Sequence, residues 1–299
     1  MKTLYTFILI LCFFAQVLHA QQQPGHVPNA RPFYGYSFID KGNDYSDSYM
    51  PDAYYFLPAP PKEGDVRFLS DSIQYFLNKE LRTTQRGDTA VWDAETSIDY
   101  FMRRFSVAVG KDLSPVSHPV LAETLKGVMQ DVRSSIQKAK NTYARHRPYQ
   151  HFNEHTPVPE DESPTDFTSY PSGHTVRGWA AAMLFVAVFP DQANAILKTG
   201  YEIGQSRVIL GYHYQSDVDA ARLAASAGFA RLCGEKKFRE ALEACIAESL
   251  RFLYTKGMSD ISTKFSSSCS TIFSFSNSFS FSIYFSFIKI IHYFTRKKN

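Results

Sequence analysis

The stretch YPSGHTVRGWAAAMLF, Tyr170 to Phe185, joins a Pro-Ser-Gly turn directly to a histidine and an alanine-rich helical pattern. The first backbone N–H groups of a helix have no partners within it, and the peptide dipoles place a partial positive charge at that end. Such a helix start is suited to bind an anion. Gly173 would let the backbone approach the anion closely, and Ser172 would add a hydroxyl. His174 could protonate a leaving group or simply belong to an ordinary helix cap.

Five segments of the sequence repeat apolar residues at positions i, i+3, i+4 and i+7, which is the period of an amphipathic α-helix. Strand-like alternation with hairpin turns is absent from the same part of the chain. We therefore predict an all-α fold, a single helical domain of packed helices. The segments are DSIQYFLNKEL, LAETLKGVMQDVRSSIQKAKNTYARHR, HTVRGWAAAMLFVAVF, ANAILKTGYEIGQS and DVDAARLAASAGFARL.

Composition divides the chain into four parts. Residues 1–20 have the charged start, apolar run and small final residue of a secretory signal peptide. Residues 21–55 are rich in Tyr, Pro, Asn, Asp and Gly without a sustained period, which indicates an irregular leader. Residues 56–255 carry the helical pattern and form the predicted domain. Residues 256–299 form a tail dominated by phenylalanine and serine.

The tail alternates phenylalanine and serine from Phe265 to Ile288 without a charged residue. Serine dilutes its apolar content too strongly for a good membrane helix. As a strand, it would expose one aromatic face and favour aggregation. We interpret it as a low-complexity extension or the product of a shifted reading frame, with a weak membrane segment as the alternative.

Charge and cysteine content narrow the possible partners and cofactors. A formal net charge of +3 is too small to indicate nucleic acid or an anionic membrane as a partner, so any phosphate chemistry must be local. Removal of the signal peptide would leave Cys233, Cys245 and Cys269, without partners at zinc spacing. A Cys233–Cys245 disulfide and two buried free thiols are equal alternatives. We expect no metal and no other cofactor.

The segment KNTYARHRP contains two cations that the helical period would bring together. Lys140 and Arg147 are seven residues apart, which would place both on nearly one face of a helix that Pro148 ends. Such a pair alone is more often a solvated surface than a site. Arg145 and His146 point elsewhere on the helical wheel, and we interpret them as surface residues.

The segment GQSRVILGYHYQSDVDAAR supplies a second histidine with a carboxylate nearby. Arg207 precedes His213 by six residues, and Asp217 follows His213 by four. A carboxylate close to an imidazole fixes its tautomer and stabilises the cation formed when the ring acts as base or nucleophile. Ser216 and Asp219 are predicted to form a capping box for the next helix.

Taken together, the three clusters supply the parts needed for phosphoryl transfer without a metal ion. Charge spreads over the equatorial oxygens of the transferring group, where fixed cations and N–H donors can stabilise it. A paired nucleophile and acid would have no purpose in a protein that only binds phosphate.

Three blocks of this sequence resemble the signature of the type 2 phosphatidic acid phosphatase (PAP2) superfamily. They are Lys140-x6-Arg147-Pro148, Pro171-Ser172-Gly173-His174 and Ser206-Arg207-x5-His213-x3-Asp217. Their context, in SYPSGHT, GYEIGQSRVILGYHYQSDVDAAR and the LPAPP entry, resembles the bacterial class A non-specific acid phosphatases. The resemblance covers residues 56 to 254. It implies an all-helical fold of the PAP2/haloperoxidase-like type, a periplasmic or secreted location, and metal-independent hydrolysis of small phosphomonoesters, with possible phosphotransferase activity.

The resemblance also implies a role for each residue of the site. His213 would be the nucleophile that forms a phosphohistidine, Asp217 would orient it, and His174 would protonate the leaving alcohol. The residues implied to bind phosphate are Lys140, Arg147, Ser172, Gly173 and Arg207.

Two related functions compete with this one. A vanadate-dependent haloperoxidase has the same anion site, but its chains are usually much longer. A lipid phosphate phosphatase would need several membrane spans, and the segment between Lys140 and Asp217 contains no such uncharged apolar run. We expect no stable membrane anchor, and a homo-oligomer is compatible with the sequence.

Overall fold

The computed structural model of the protein describes residues 37–39 and 50–251. The regular elements in these ranges are all helical, which confirms the predicted all-α fold for the described part of the chain. The predicted signal peptide at residues 1–20, the tail at 256–299 and Cys269 lie outside the described residues.

The α-helices are numbered here in chain order. They are α1 Ala53–Phe56, α2 Val66–Lys79, α3 Gln85–Trp92, α4 Ile98–Val109, α5 Pro119–Ser134, α6 Gln137–Tyr143, α7 Pro148–His151, α8 Gly173–Val188, α9 Ala193–Leu210 and α10 Gln215–Cys233. Short 3-10 turns occur at Glu80–Thr83, Pro159–Asp161 and Pro190–Gln192. The chain divides into two units between residues 248 and 249. Residues 236–248 of the first unit and 249–251 of the second are also helical.

Helix α8, the one that begins with the PSGH turn, is the centre of the fold. It packs against α4, α5, α9 and α10, and most of its residues are buried. A helix that is apolar nearly all round belongs inside a protein, where several neighbours cover it. Its start is fixed by Ser172, whose hydroxyl accepts a hydrogen bond from the Thr175 N–H at 3.3 Å.

Small residues let α8 and α9 approach each other closely. A methyl group added at Gly200 would lie 2.5 Å from Cβ of Ala182, and one added at Gly178 would lie 2.7 Å from Cγ2 of Ile203. No real pair of carbon atoms tolerates such distances, so the glycines set the spacing of the two helices. Helix α9 then ends at Gly211, which has a φ of 86°. Only glycine adopts this left-handed conformation without strain.

The helix predicted across KNTYARHRP is wrong. Helix α6 ends at Tyr143, and Ala144 follows with a left-handed φ of 43°. Arg147 precedes a new helix, in which Pro148 is the first residue and not a terminator. Proline suits that position because its fixed φ is already helical and its missing N–H would have no partner there. Lys140 and Arg147 therefore come from different elements instead of one helix face.

Helices α3 and α4 were not predicted by the apolar period. Helix α4 nevertheless carries both of its end signals in the sequence. The Ser97 hydroxyl accepts a hydrogen bond from the Tyr100 N–H at 3.0 Å, and Gly110 closes the helix with a φ of 70°. A serine cap and a terminal glycine are the usual marks of the two ends of a helix.

Parts of the irregular leader belong to the hydrophobic core. Phe38, Ile39 and Met50 are buried, and the ring of Phe38 meets that of Phe238 edge-on at 5.4 Å. The Phe38 N–H also donates to Asp131 Oδ2 at 2.7 Å. Packing of the helical unit therefore begins before residue 56.

Cys233 and Cys245 are free thiols, so the disulfide alternative is wrong for this structure. Cys245 is buried and lies 3.2 Å from Thr124 Oγ1, and burial raises the pKa of its thiol to about 12. Cys233, by contrast, is exposed rather than buried. Among the described helices, none is long and apolar enough to cross a lipid bilayer.

The close contact of α8 and α9 generates a stability prediction. Gly200→Ala would bring two methyl carbons together, and we expect a net loss of roughly 1–3 kcal/mol in the free energy of unfolding. Alanine alone would favour the helix by about 1 kcal/mol, so only the clash can produce a loss. Urea denaturation measures the free energy of unfolding. Lys198→Ala is the control, because this residue lies on the exposed side of α9 and makes no such close contact. A stabilised Gly200→Ala protein would contradict the close packing.

Candidate active site

A cavity of about 640 Å³ opens at the start of α8. It is lined by six of the eight residues predicted for the site: Lys140, Arg147, Gly173, His174, Arg207 and His213. Ser172 and Asp217 do not line it. The fold thus brings the cations and both histidines to one place, although they come from separate elements.

The hydrogen bonds of His213 assign its tautomer. Nδ1 lies 2.8 Å from the carbonyl oxygen of Ser169, and Nε2 lies 3.1 Å from Nη1 of Arg147. A carbonyl can only accept and a guanidinium can only donate, so Nδ1 carries the proton and Nε2 keeps its lone pair. Burial lowers the pKa of His213 to about 3, with Arg147 acting in the same direction and Asp217 opposing it. The ring is therefore neutral, with Nε2 available as a nucleophile.

Asp217 lies beside His213 but is not its direct hydrogen-bond partner. Asp217 Oδ2 is 3.7 Å from Nδ1 of His213, which is an ion-pair distance. The same oxygen accepts hydrogen bonds from Ser169 Oγ at 2.6 Å and from the Tyr214 N–H at 2.8 Å. Ser169 thus links the two residues: its hydroxyl binds the carboxylate, and its carbonyl orients the imidazole. No sequence pattern indicated this residue, because any amino acid can supply a carbonyl.

The interpretation of Arg145 as a surface residue is wrong. Its side chain is buried, and it donates to Asp217 Oδ1 at 2.5 Å and to Asp71 Oδ2 at 2.8 Å. Its guanidinium carbon also lies 4.1 Å from the ring centre of Tyr214. Burial would raise the pKa of Asp217, but the charge of Arg145 holds it well below its usual range. Asp217 is therefore a permanent anion next to His213.

The predicted capping box of Ser216 and Asp219 is also wrong. Helix α10 begins one residue after Tyr214, so Asp217 occupies its third position and accepts the Tyr214 N–H. Ser216 instead binds the carboxylate of Asp71 through both its N–H and its hydroxyl, at 2.9 and 2.5 Å. Asp219 pairs with Arg222 at 2.8 Å. Asp217 therefore both caps helix α10 and lies beside His213 in the site.

Arg207 is a buried cation with unused hydrogen-bond donors. Its Nε and Nη1 atoms are buried and have no hydrogen-bond partner among the described residues. Its guanidinium carbon lies 4.5 Å from the ring centre of Tyr212. Burial lowers its pKa to about 10, and the charge of Arg147 adds to this effect. Because buried donors are almost always satisfied, this guanidinium is prepared for an anion in the cavity.

Lys140 and Arg147 bring further positive charge to the cavity. Lys140 is buried, and its Nζ donates to the carbonyl of Thr168. Burial, followed by the charge of Arg147, lowers the pKa of Lys140 to about 7. Arg147 is anchored by Asp166 at 2.7 Å. Gly173 lies beside this lysine: a methyl group added there would lie 3.6 Å from Cε of Lys140, in ordinary van der Waals contact.

His174 is held by backbone carbonyls. Its Nε2 lies 2.8 Å from the carbonyl of Asp93 and 3.1 Å from that of Glu95, so Nε2 carries a proton. The Asp93 side chain is itself fixed by Ser206 Oγ at 2.5 Å. Burial holds the pKa of His174 well below its ordinary value, and the charge of Arg207 contributes. Because both contacts involve Nε2, Nδ1 is the ring nitrogen that can still exchange a proton.

The hydroxyl of Ser172 is engaged in the helix cap. Besides the Thr175 N–H, it meets Thr175 Oγ1 at 2.9 Å, and the side chain is fully buried. The Ser172 N–H donates to the backbone carbonyl of Asp217 at 3.0 Å. These contacts tie the start of α8 to the start of α10.

Within the described residues, no group of three or more His, Cys, Asp and Glu side chains is placed to hold a metal ion.

Comparison with known proteins gives one family. A model of the PAP2 superfamily matches residues 120–234. The non-specific acid phosphatase of Providencia stuartii is 37% identical over 221 residues, which cover 70% of this chain and 88% of that protein. That of Salmonella typhimurium is 36% identical over 190 residues, 63% of this chain and 76% of the relative. The acid phosphatase of Zymomonas mobilis is 31% identical over 189 residues, which cover 63% of this chain and 72% of that protein.

The family match at residues 120–234 spans all eight predicted site residues. The same region supplies the neutral histidine, the buried anion beside it and the unpaired arginine. On this likeness, the chain belongs to the PAP2 superfamily and is an acid phosphatase of the class A non-specific type.

Proposed function

We propose that the protein hydrolyses phosphomonoesters by transferring the phosphoryl group to Nε2 of His213, without a metal ion. The observation that carries this proposal is the tautomer of His213, a neutral ring with its lone pair at Nε2 inside a cation-lined cavity. Export from the cytoplasm is part of the proposal and rests on the signal-peptide pattern of residues 1–20.

The phosphate would be bound by Lys140, Arg147, Arg207 and the free N–H groups at the start of α8. Arg207 has two buried donors without partners, and phosphate oxygens would satisfy both. Gly173 would permit close approach of the backbone. Ser172 would contribute by capping the helix, which fixes the direction of those N–H groups, because its own hydroxyl is already engaged.

In the first step, the Nε2 lone pair of His213 attacks phosphorus while the bond to the leaving alkoxide breaks. The phosphorylated ring keeps its Nδ1 proton and becomes a cation. Asp217, at 3.7 Å from Nδ1, would stabilise this charge. In the second step, water attacks phosphorus, phosphate leaves, and the neutral ring of His213 is restored.

His174 would give its proton to the leaving alkoxide and take one from the attacking water. Its pKa is lowered by burial and by the charges of Arg207 and Arg177. A bound phosphate dianion would offset these charges, so substrate binding itself would raise the pKa of His174. His174 would then carry the proton that the leaving alkoxide takes up. The acid phosphatase relatives favour this hydrolysis over halide oxidation at the same anion site.

The lowered pKa of Lys140 predicts the alkaline limit of activity. Its pKa is about 7 instead of 10.5, so the side chain loses its charge as the pH rises through that value. We expect kcat/KM to fall above about pH 7 because the neutral amine binds phosphate weakly. Lys140→Arg keeps its charge, and its alkaline limb should move to higher pH, as rate profiles with the same substrate would show. An unchanged limb in Lys140→Arg would contradict the assignment.

The two histidines should respond differently to the leaving group. His213→Ala should abolish both turnover and the acid-labile covalent phosphoenzyme. His174→Ala should lose about 10²–10⁴-fold with an alkyl phosphate and much less with nitrophenyl phosphate, whose leaving group departs as a stable anion. His155→Ala is the control, since this histidine is exposed and pairs with Glu162.

Rapid quenching with labelled substrate distinguishes the nucleophiles, because phosphohistidine is lost in acid and phosphoserine is not. Acid-stable label, or equal losses of His174→Ala with both substrates, would contradict these roles.

Chelators should leave the activity intact. The positive charge at the transferring group would come from Lys140, Arg147 and Arg207, so no divalent ion is required. We expect unchanged kcat/KM after prolonged treatment with excess chelator, and inhibition by vanadate as a phosphoryl mimic. Loss of activity in chelator with recovery on adding a divalent cation would refute the mechanism.

A further inference from the structure

Two arginines outside the predicted site line the same cavity. They are Arg133, in the last turn of α5, and Arg177, in the second turn of α8. With Lys140, Arg147 and Arg207 they bring the number of cations lining the cavity to five. The latter three are assigned to the transferred phosphoryl group, which leaves the exposed Arg133 and the half-buried Arg177 without an assigned role.

Both arginines lie beside the start of α8. Arg177 follows Gly173 by four residues, so the two share one helix face, and its side chain extends back toward the first turn. Arg133 approaches from α5, with its Nε 3.8 Å from the position of a methyl group at Gly173. Gln137, at the start of α6, lines the cavity as well; its amide nitrogen donates to Asn141 Oδ1 at 3.3 Å and carries a second N–H.

Among the described residues, neither Arg133 nor Arg177 forms an ion pair with a carboxylate. Of the acidic residues that line the cavity, Asp166 is held by Arg147 at 2.7 Å and Glu95 is 3.9 Å from Arg103.

The remaining acidic residues of the cavity are Glu160 and Asp161, in the Pro159–Asp161 turn. Burial lowers the pKa values of Arg207, Arg177 and Lys140; the charge of Asp161 partly offsets this for Arg207, whereas the charge of Arg133 adds to it for Arg177 and Lys140. The excess positive charge is thus concentrated where α5 meets α8.

We propose that Arg133 and Arg177, with Gln137, form a subsite for a second phosphate group, so that small bisphosphorylated molecules are preferred over monophosphates. The inference rests on the proposed function, since the first phosphate would occupy the cations around His213. Paired guanidinium groups recognise phosphate oxygens with geometric specificity. A cavity of about 640 Å³ has room for a small bisphosphate.

The test compares propane-1,3-diyl bisphosphate with 3-hydroxypropyl phosphate, which have the same carbon chain. The quantity is the ratio of their kcat/KM values at fixed ionic strength, divided by two for the two equivalent phosphates. We expect a ratio of about ten or more in the wild-type enzyme, the size expected for charge-assisted hydrogen bonds. In Arg133→Gln/Arg177→Gln the ratio should approach one, while the monophosphate is still hydrolysed.

A matched control removes two arginines elsewhere. Arg231→Gln/Arg239→Gln changes the net charge equally, and neither residue lines the cavity. This variant should keep the wild-type ratio. The single variants Arg133→Gln and Arg177→Gln, each with an intermediate ratio, keep the test valid if the double variant does not fold.

Each outcome is decisive. A wild-type ratio near one, or a ratio that survives the loss of both arginines, would overturn the subsite and leave the proposed function intact. A wild-type enzyme that hydrolyses neither compound nor any other phosphomonoester would instead refute the proposed function.

Discussion

The rest of the site depends on one buried negative charge, the carboxylate of Asp217. It is fully buried, and it is stabilised by the Arg145 guanidinium, the Ser169 hydroxyl and the Tyr214 N–H. A buried carboxylate without such partners would be strongly destabilising, so these groups must come together when the protein folds. Arg145 also binds Asp71 of α2. One charge thus joins α2, the loop before α8 and the start of α10.

This arrangement also determines the chemistry of the neighbouring histidine. Ser169 binds Asp217 through its hydroxyl and His213 through its carbonyl, so the position of the carboxylate and the tautomer of the ring are linked. Arg207, which lines the same cavity, has buried donors without partners among the described residues. Buried donors without partners lower the stability of a protein, and a bound phosphate would satisfy these two.

The sequence predicted the parts of the molecule that depend on local patterns. The apolar period indicated α8, α9 and α10, and the three clusters, read through their resemblance to the PAP2 signature, singled out all six predicted residues that line the cavity. It could not reveal the break at Ala144, since alanine is no signal for a left-handed residue. The pairing of Arg145 with Asp71 joins residues far apart in the chain and exists only in the folded protein. Ser169 acts on His213 through its backbone, which no side-chain pattern can show.

The central claim is that the buried network holds His213 neutral, with its proton on Nδ1. Nitrogen-15 NMR of the histidine-labelled protein tests this most directly, with His213→Gln to assign the signals. We expect a protonated Nδ1 and an unprotonated Nε2 at pH values well above 3, because the pKa of the ring is about 3. An Nε2-protonated tautomer, or a ring that titrates near its ordinary pKa, would contradict it.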